Sequence, residues 1–149
     1  MSETGTLIIK GLPESHEIHD SYSRGEYFDA VLKCRVFLES WLAEYIFVLL
    51  FPDKRAATRE NRKFVSERFG DMFYQIMWLK EEGHISRNVY ERLNQIRKLS
   101  DKVFQKGDVF KVCSKKELKD FVTACIDFCA KFRALTEQAI KRGIDGDFC

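Results

Sequence analysis

The segment His84-Ile-Ser-Arg-Asn-Val-Tyr-Glu-Arg-Leu-Asn-Gln-Ile-Arg-Lys-Leu-Ser-Asp-Lys-Val-Phe-Gln105 sets the terms for the rest of the chain. Val89, Leu93, Ile96, Leu99 (or Ser100) and Val103 recur at intervals of three and four residues, the spacing of one helix face. Ser86 stands where a cap accepts a first-turn amide, and Gly83 and Gly107 bracket the run. These features predict an amphipathic helix over 86–106. Arg87, Arg92, Arg97, Lys98, Lys102 and Lys106 lie off its apolar stripe, so the stripe has to be buried against other helices while the charged side stays in water.

Toward the N-terminus, Glu81-Glu82-Gly83 closes a preceding helix that Thr58 can cap, giving 58–82, with Phe64, Val65, Phe69, Met72, Phe73, Ile76, Met77 and Leu79 as its apolar face. The short link to Ser86 implies an antiparallel hairpin. Farther back, Ser23-Arg24-Gly25-Glu26 has the spacing of a capping box and Pro52 is a stop, which together predict a first helix over 24–51. Beyond Gly107, Asp108 to Cys113 reads as an extended connector. Ser114-Lys-Lys-Glu117 forms a second capping box opening a helix to 142, with Gly143 as its stop and 144–149 as a tail. Residues 1–20, with Gly5, Gly11 and Pro13, read as a loose arm in which Leu7-Ile8-Ile9 docks and His16 and His19 are exposed. The expectation is an all-α, antiparallel four-helix bundle in a single domain spanning 1–149.

Composition points the same way. Thirteen Phe, five Tyr and two Trp against two Pro and eight Gly suit long helices around an aromatic core. A net charge of +2 supplies no overall field toward nucleic acid or anionic lipid. The longest apolar run, Tyr45 to Phe51, is too short to span a bilayer, and the N-terminus lacks the order of a secretion signal, so a cytoplasmic protein with no membrane partner is expected. Cys34, Cys113, Cys125, Cys129 and Cys149 have no paired C-x-x-C spacing and read as reduced thiols, without a metal site. No glycine-rich phosphate loop, nucleophile elbow or paired-histidine zinc motif occurs. No cofactor is expected.

Arg35-Val-Phe-Leu-Glu39 in the first helix, Gly83-His-Ile-Ser-Arg-Asn-Val-Tyr90 and Leu93-Asn-Gln-Ile-Arg97 resemble segments of the HEPN superfamily of helical domains, most closely those of the mannitol operon repressor family. The resemblance implies a helical dimer. In active HEPN ribonucleases an Arg and a His meet at the dimer interface and cut RNA without metal. Those residue types suit the task, because Arg holds phosphate with two hydrogen bonds and His exchanges a proton near neutral pH. Aligned from Ile96-Arg97, the family Arg falls on Ser100, its Asn on Asp101 and its His on Gln105. The resemblance therefore implies a non-catalytic bundle, not an enzyme.

Two function classes follow. The first is a regulatory or protein-interaction module, in transcriptional control or a toxin-antitoxin or defence setting. The second is an RNA-binding or weakly ribonucleolytic bundle that uses the basic side of the third helix, where Arg97, Lys98, Asp101 and Lys102 are the candidate RNA- or partner-binding residues. The bland reading of Arg97 is an ion pair with Glu39 or Asp101. A small-molecule pocket among the aromatics is a third class. A homodimer is expected, because Trp41, Tyr45 and Phe47 belong to a run that wraps around the first helix, and a monomeric four-helix bundle would leave one face of it in water.

Overall fold

The computed structural model describes residues 15–145. The described chain is all-α, with six α-helices: α1 (His16–Ser23), α2 (Tyr27–Leu50), α3 (Arg59–Arg68), α4 (Met72–Glu81), α5 (Arg87–Lys106) and α6 (Lys115–Asp145). Short 3-10 turns at Lys54–Ala56 and Val109–Lys111 lie in the connections. No strand occurs among the described residues. Four helices were expected; of the two additional ones, α1 forms just ahead of the first expected helix, largely in the segment expected as a loose arm, and the other comes from a break in the second expected helix.

The first break is at Gly25. Ser23 does not open a helix; it ends α1, and Gly25 turns the chain with a φ of +79°, left-handed backbone that a side chain disfavours. The Ser-x-x-Glu spacing that reads as a capping box is thus a helix end followed by a turn. His16 and His19, expected in a loose arm, are exposed residues of α1, while Ile18 and Ser21 turn inward. The Leu7-Ile8-Ile9 docking site lies outside the described residues.

The second break, Phe69 to Asp71, divides the helix expected over 58–82. Asp71 accepts the Phe73 amide at 2.8 Å and so caps a new start. A Cβ on Gly70 would sit 2.6 Å from the Ser66 carbonyl oxygen, so only glycine fits where the two helices meet.

Elsewhere the local chemistry acts as the sequence reading expects. Thr58 accepts the Asn61 amide at 3.2 Å, and Ser86 accepts that of Val89 at 3.2 Å. Ser114 and Glu117 form the reciprocal capping box, with Ser114 N donating to Glu117 Oε1 at 3.0 Å and Glu117 N to Ser114 Oγ at 3.1 Å. Gly107 ends α5 at a φ of +71°, and α2 stops before Pro52. Gly143 does not end α6, which runs to Asp145, so Ile144 and Asp145 of the expected tail are helical and 146–149 lie outside the described residues. The connector over 108–113 is a 3-10 turn capped by Asp108 and not an extended segment.

The architecture is centred on α2, which packs against each of the other five α-helices. Its apolar residues leave no polar side broad enough to face water, and neighbours cover most of it. Trp41, Tyr45 and Phe47, expected at a dimer interface, are 2%, 7% and 1% exposed within the single chain. The correction has a physical cause: α6 lies over Trp41 and Tyr45, and α3 lies over Phe47, so the chain's own helices cover these side chains. Phe132 of α6 meets the Tyr45 ring at 5.7 Å, Arg133 lies 5.6 Å over Trp41, and Arg62 of α3 lies 4.2 Å over Phe47.

No described helix is long and apolar enough to cross a membrane. Cys34, Cys113, Cys125 and Cys129 are free and buried. Burial pushes the Cys129 thiol up to about 12 and holds that of Cys125 well above its ordinary range, which leaves both protonated and unreactive.

Candidate functional site

Two polar centres share the face of α2 that looks toward α3, α4 and α5. The first surrounds Arg35, a residue only 8% exposed. Its Nη1 donates to Asp101 Oδ1 at 2.7 Å, to Ser100 Oγ at 2.9 Å and to the Arg97 carbonyl at 3.3 Å. Its Nε lies 3.4 Å from Glu39 Oε2. A guanidinium cannot shed its charge on burial, so it needs carboxylate partners held in place. Asp101 is shared, its Oδ2 accepting from Arg97 Nη1 at 3.3 Å. Arg97 also donates Nε to Asn94 at 3.0 Å and lies 5.2 Å over the Phe73 ring, which ties α5 to α4.

Of the residues singled out in the sequence, Arg97 and Asp101 therefore meet, and Glu39 pairs with Arg35 instead of Arg97. Lys98 and Lys102 are exposed and stand outside this network. Ser100, at the position aligned with the family arginine, is fully buried; its hydroxyl donates to the Ile96 carbonyl at 2.8 Å while accepting from Arg35. Gln105 is exposed. His84 is an exposed turn residue whose ring meets Trp78 at 5.4 Å. Among the described residues no cluster of three or more His, Cys, Asp or Glu is placed to hold a metal ion.

The second centre is an open groove of about 460 Å³ between α2 and α3, closed at one end by the Gly70 break and Gln75. Glu44, 7% exposed, is held by Arg62 through two hydrogen bonds, one of them 3.3 Å from Nη2 to Oε2. Gln75 is fully buried, and its Nε2 donates to the carbonyls of Phe69 at 2.7 Å and Glu39 at 2.9 Å. Those two acceptors fix the amide orientation. Gln75 Oε1 is left buried with no hydrogen-bond partner, an arrangement that costs about 1–3 kcal/mol.

Sequence reasoning missed Arg35, Gln75 and the Glu44–Arg62 pair. The available signal was polarity on a buried face: Arg35 sits between Val31 and Leu38, and Gln75 sits beside Met72, Ile76 and Leu79, all of them core positions. Such residues need tertiary partners that periodicity does not name.

Glu39 links the two centres. Burial pushes its carboxyl above the usual range, against the opposing pull of Arg35 and of the Met72 amide, which donates to Oε2 at 2.9 Å. The folded protein thus holds this proton more tightly than the unfolded chain does. The associated stability is complete below the ordinary glutamate range and is lost as pH rises through the raised value. Glu39→Gln has no such proton. Urea unfolding of the two proteins should show wild type losing ground to the variant as pH rises above the ordinary glutamate range of about 4; a difference that moves in wild type's favour with rising pH would contradict the shift.

Compared with known proteins, the chain matches no family model, no curated protein and no solved structure.

Proposed function

We propose that this chain is a non-catalytic, HEPN-like helical interaction module that pairs with a second copy of itself through α2. The observation that carries the reading is an exposed apolar stripe on that helix. Phe28, Leu32 and Val36, four residues apart, are 41%, 41% and 46% exposed, although the rest of α2 is largely covered. Side chains at this spacing share one helix face, and exposed apolar stripes of this kind mark interaction surfaces. Antiparallel pairing about Leu32 would set Phe28 of one chain against Val36 of the other, an isologous contact. Leu32→Glu tests the surface. Because the site is solvent-facing, helicity and unfolding midpoint should stay close to wild type, while gel filtration should shift from the associated to the single-chain volume; an unchanged elution profile would remove α2 from the interface.

The non-catalytic part rests on Ser100 and Gln105. Ser100 is committed to the Arg35 network, and neither side chain can take the proton-exchanging role of a histidine. Purified protein incubated with single-stranded RNA should leave it intact. Metal-independent cleavage that copurifies with the protein and disappears on Arg97→Ala would contradict this. The RNA-binding alternative draws on Lys98, Lys102 and Lys106, exposed along α5 with no ion pair among the described residues. It predicts salt-sensitive RNA binding that weakens when all three become Glu.

A further inference from the structure

We propose that the groove between α2 and α3 is a binding site for an aliphatic primary ammonium, its head seated on Gln75, Glu39 and Ser66 and its alkyl stem lying along Val36, Ala43 and Val65. The argument starts from unmet acceptors. Gln75 Oε1 has no donor, and its orientation is fixed because Nε2 is already spent on two carbonyls. Both contacts to the Glu39 carboxylate fall on Oε2: the Met72 amide at 2.9 Å and Arg35 Nε at 3.4 Å. Glu39 Oε1 is therefore open among the described residues. Gln75 and Glu39 both line the groove.

The ligand must therefore bring donors. An anion is excluded by the same geometry, because Arg62, the cation of the groove wall, is already engaged by Glu44 and stacked on Phe47. With Glu39 and Glu44 against Arg62, the lining residues carry one more negative than positive charge. An ammonium supplies three donors and no acceptor, which matches the Gln75 amide oxygen, the free Glu39 oxygen and the Ser66 hydroxyl on the opposite wall. Val36, Ala43 and Val65 give the groove an apolar half, so the cation it favours carries a short hydrocarbon stem rather than a hydration shell. Burial raises the Glu39 carboxyl above its ordinary range, and a bound cation would draw it back down.

The test is a titration of the intact protein with n-butylamine at pH 7, followed by proton–nitrogen correlation spectra. Saturable shifts are expected at the Gln75 side-chain amide and at the Met72 and Gly70 backbone amides, and n-butanol, with the same stem and no charge, should produce none. Glu39→Gln keeps an acceptor for the Met72 amide and should weaken binding about tenfold, the loss of one charge-assisted hydrogen bond. Ser66→Trp, on the exposed side of α3, should fill the groove and abolish binding while circular dichroism remains that of wild type. Nα-acetyl-lysinamide run in parallel separates two sources of the same chemistry: tighter binding than butylamine assigns the site to a protein-borne lysine, and weaker binding assigns it to a free amine. Equal shifts with n-butanol, no saturable shift with either amine, or unchanged affinity in both variants would overturn the proposal.

Discussion

Trp41→Ala should lower the free energy of unfolding by about 4 kcal/mol, the range found when a large aromatic is removed from a packed interior. Trp41 is 2% exposed and covered by Arg133 of α6, so its loss leaves a void that surrounding helices close only in part. The measurement is a urea denaturation curve, with the midpoint falling and the slope unchanged. Placing Trp41 in the core also fixes what the substitution should not do, which is change the subunit mass under native conditions. A variant as stable as wild type but altered in mass would return Trp41 to an intermolecular surface.

The second large effect belongs to Arg35. Its replacement by alanine should cost about 3 kcal/mol, because breaking a buried charge network strands the groups left behind. Ser100 would lose its donor in a fully buried position, and Glu39 would lose the cation 3.4 Å away while still desolvated. Asp101 would suffer less, since its side chain is 41% exposed and water can replace the guanidinium. Arg35→Lys should recover only part of the loss, as one ammonium cannot reach Asp101, Ser100 and Glu39 together. If the alanine variant unfolds at the wild-type urea concentration, the network contributes nothing and the interior assignment of Arg35 is wrong.

The contrast between these residues shows how far the sequence could be read. The all-α class and the two C-terminal helices were legible because their ends carry local chemistry: the Ser86 cap, the Ser114–Glu117 box and Gly107. Local chemistry also misled, since Ser23-x-x-Glu26 has capping spacing but Gly25 adopts a positive φ between the two. The α3–α4 break was readable in Gly70-Asp71, a glycine followed by a cap residue inside an otherwise helical pattern. Trp41, Tyr45 and Phe47 could not be assigned from periodicity, because whether a helix apolar on all sides is covered by its own chain depends on how many elements surround it. The candidate site was partly legible in the same sense. Arg97 and Asp101 pair across one helical turn, whereas Arg35 reaches α5 from a distant part of the chain and Gln75 shows its unmet acceptor only once α4 is set against α2.

The mass of the native particle tests the central reading most directly. Light scattering on the eluting protein at micromolar concentration should give twice the 17.5 kDa of one chain, falling to the single-chain value on Leu32→Glu and remaining doubled in the folded fraction of Trp41→Ala. A wild-type mass of one chain, unchanged as concentration rises, would contradict self-association through α2.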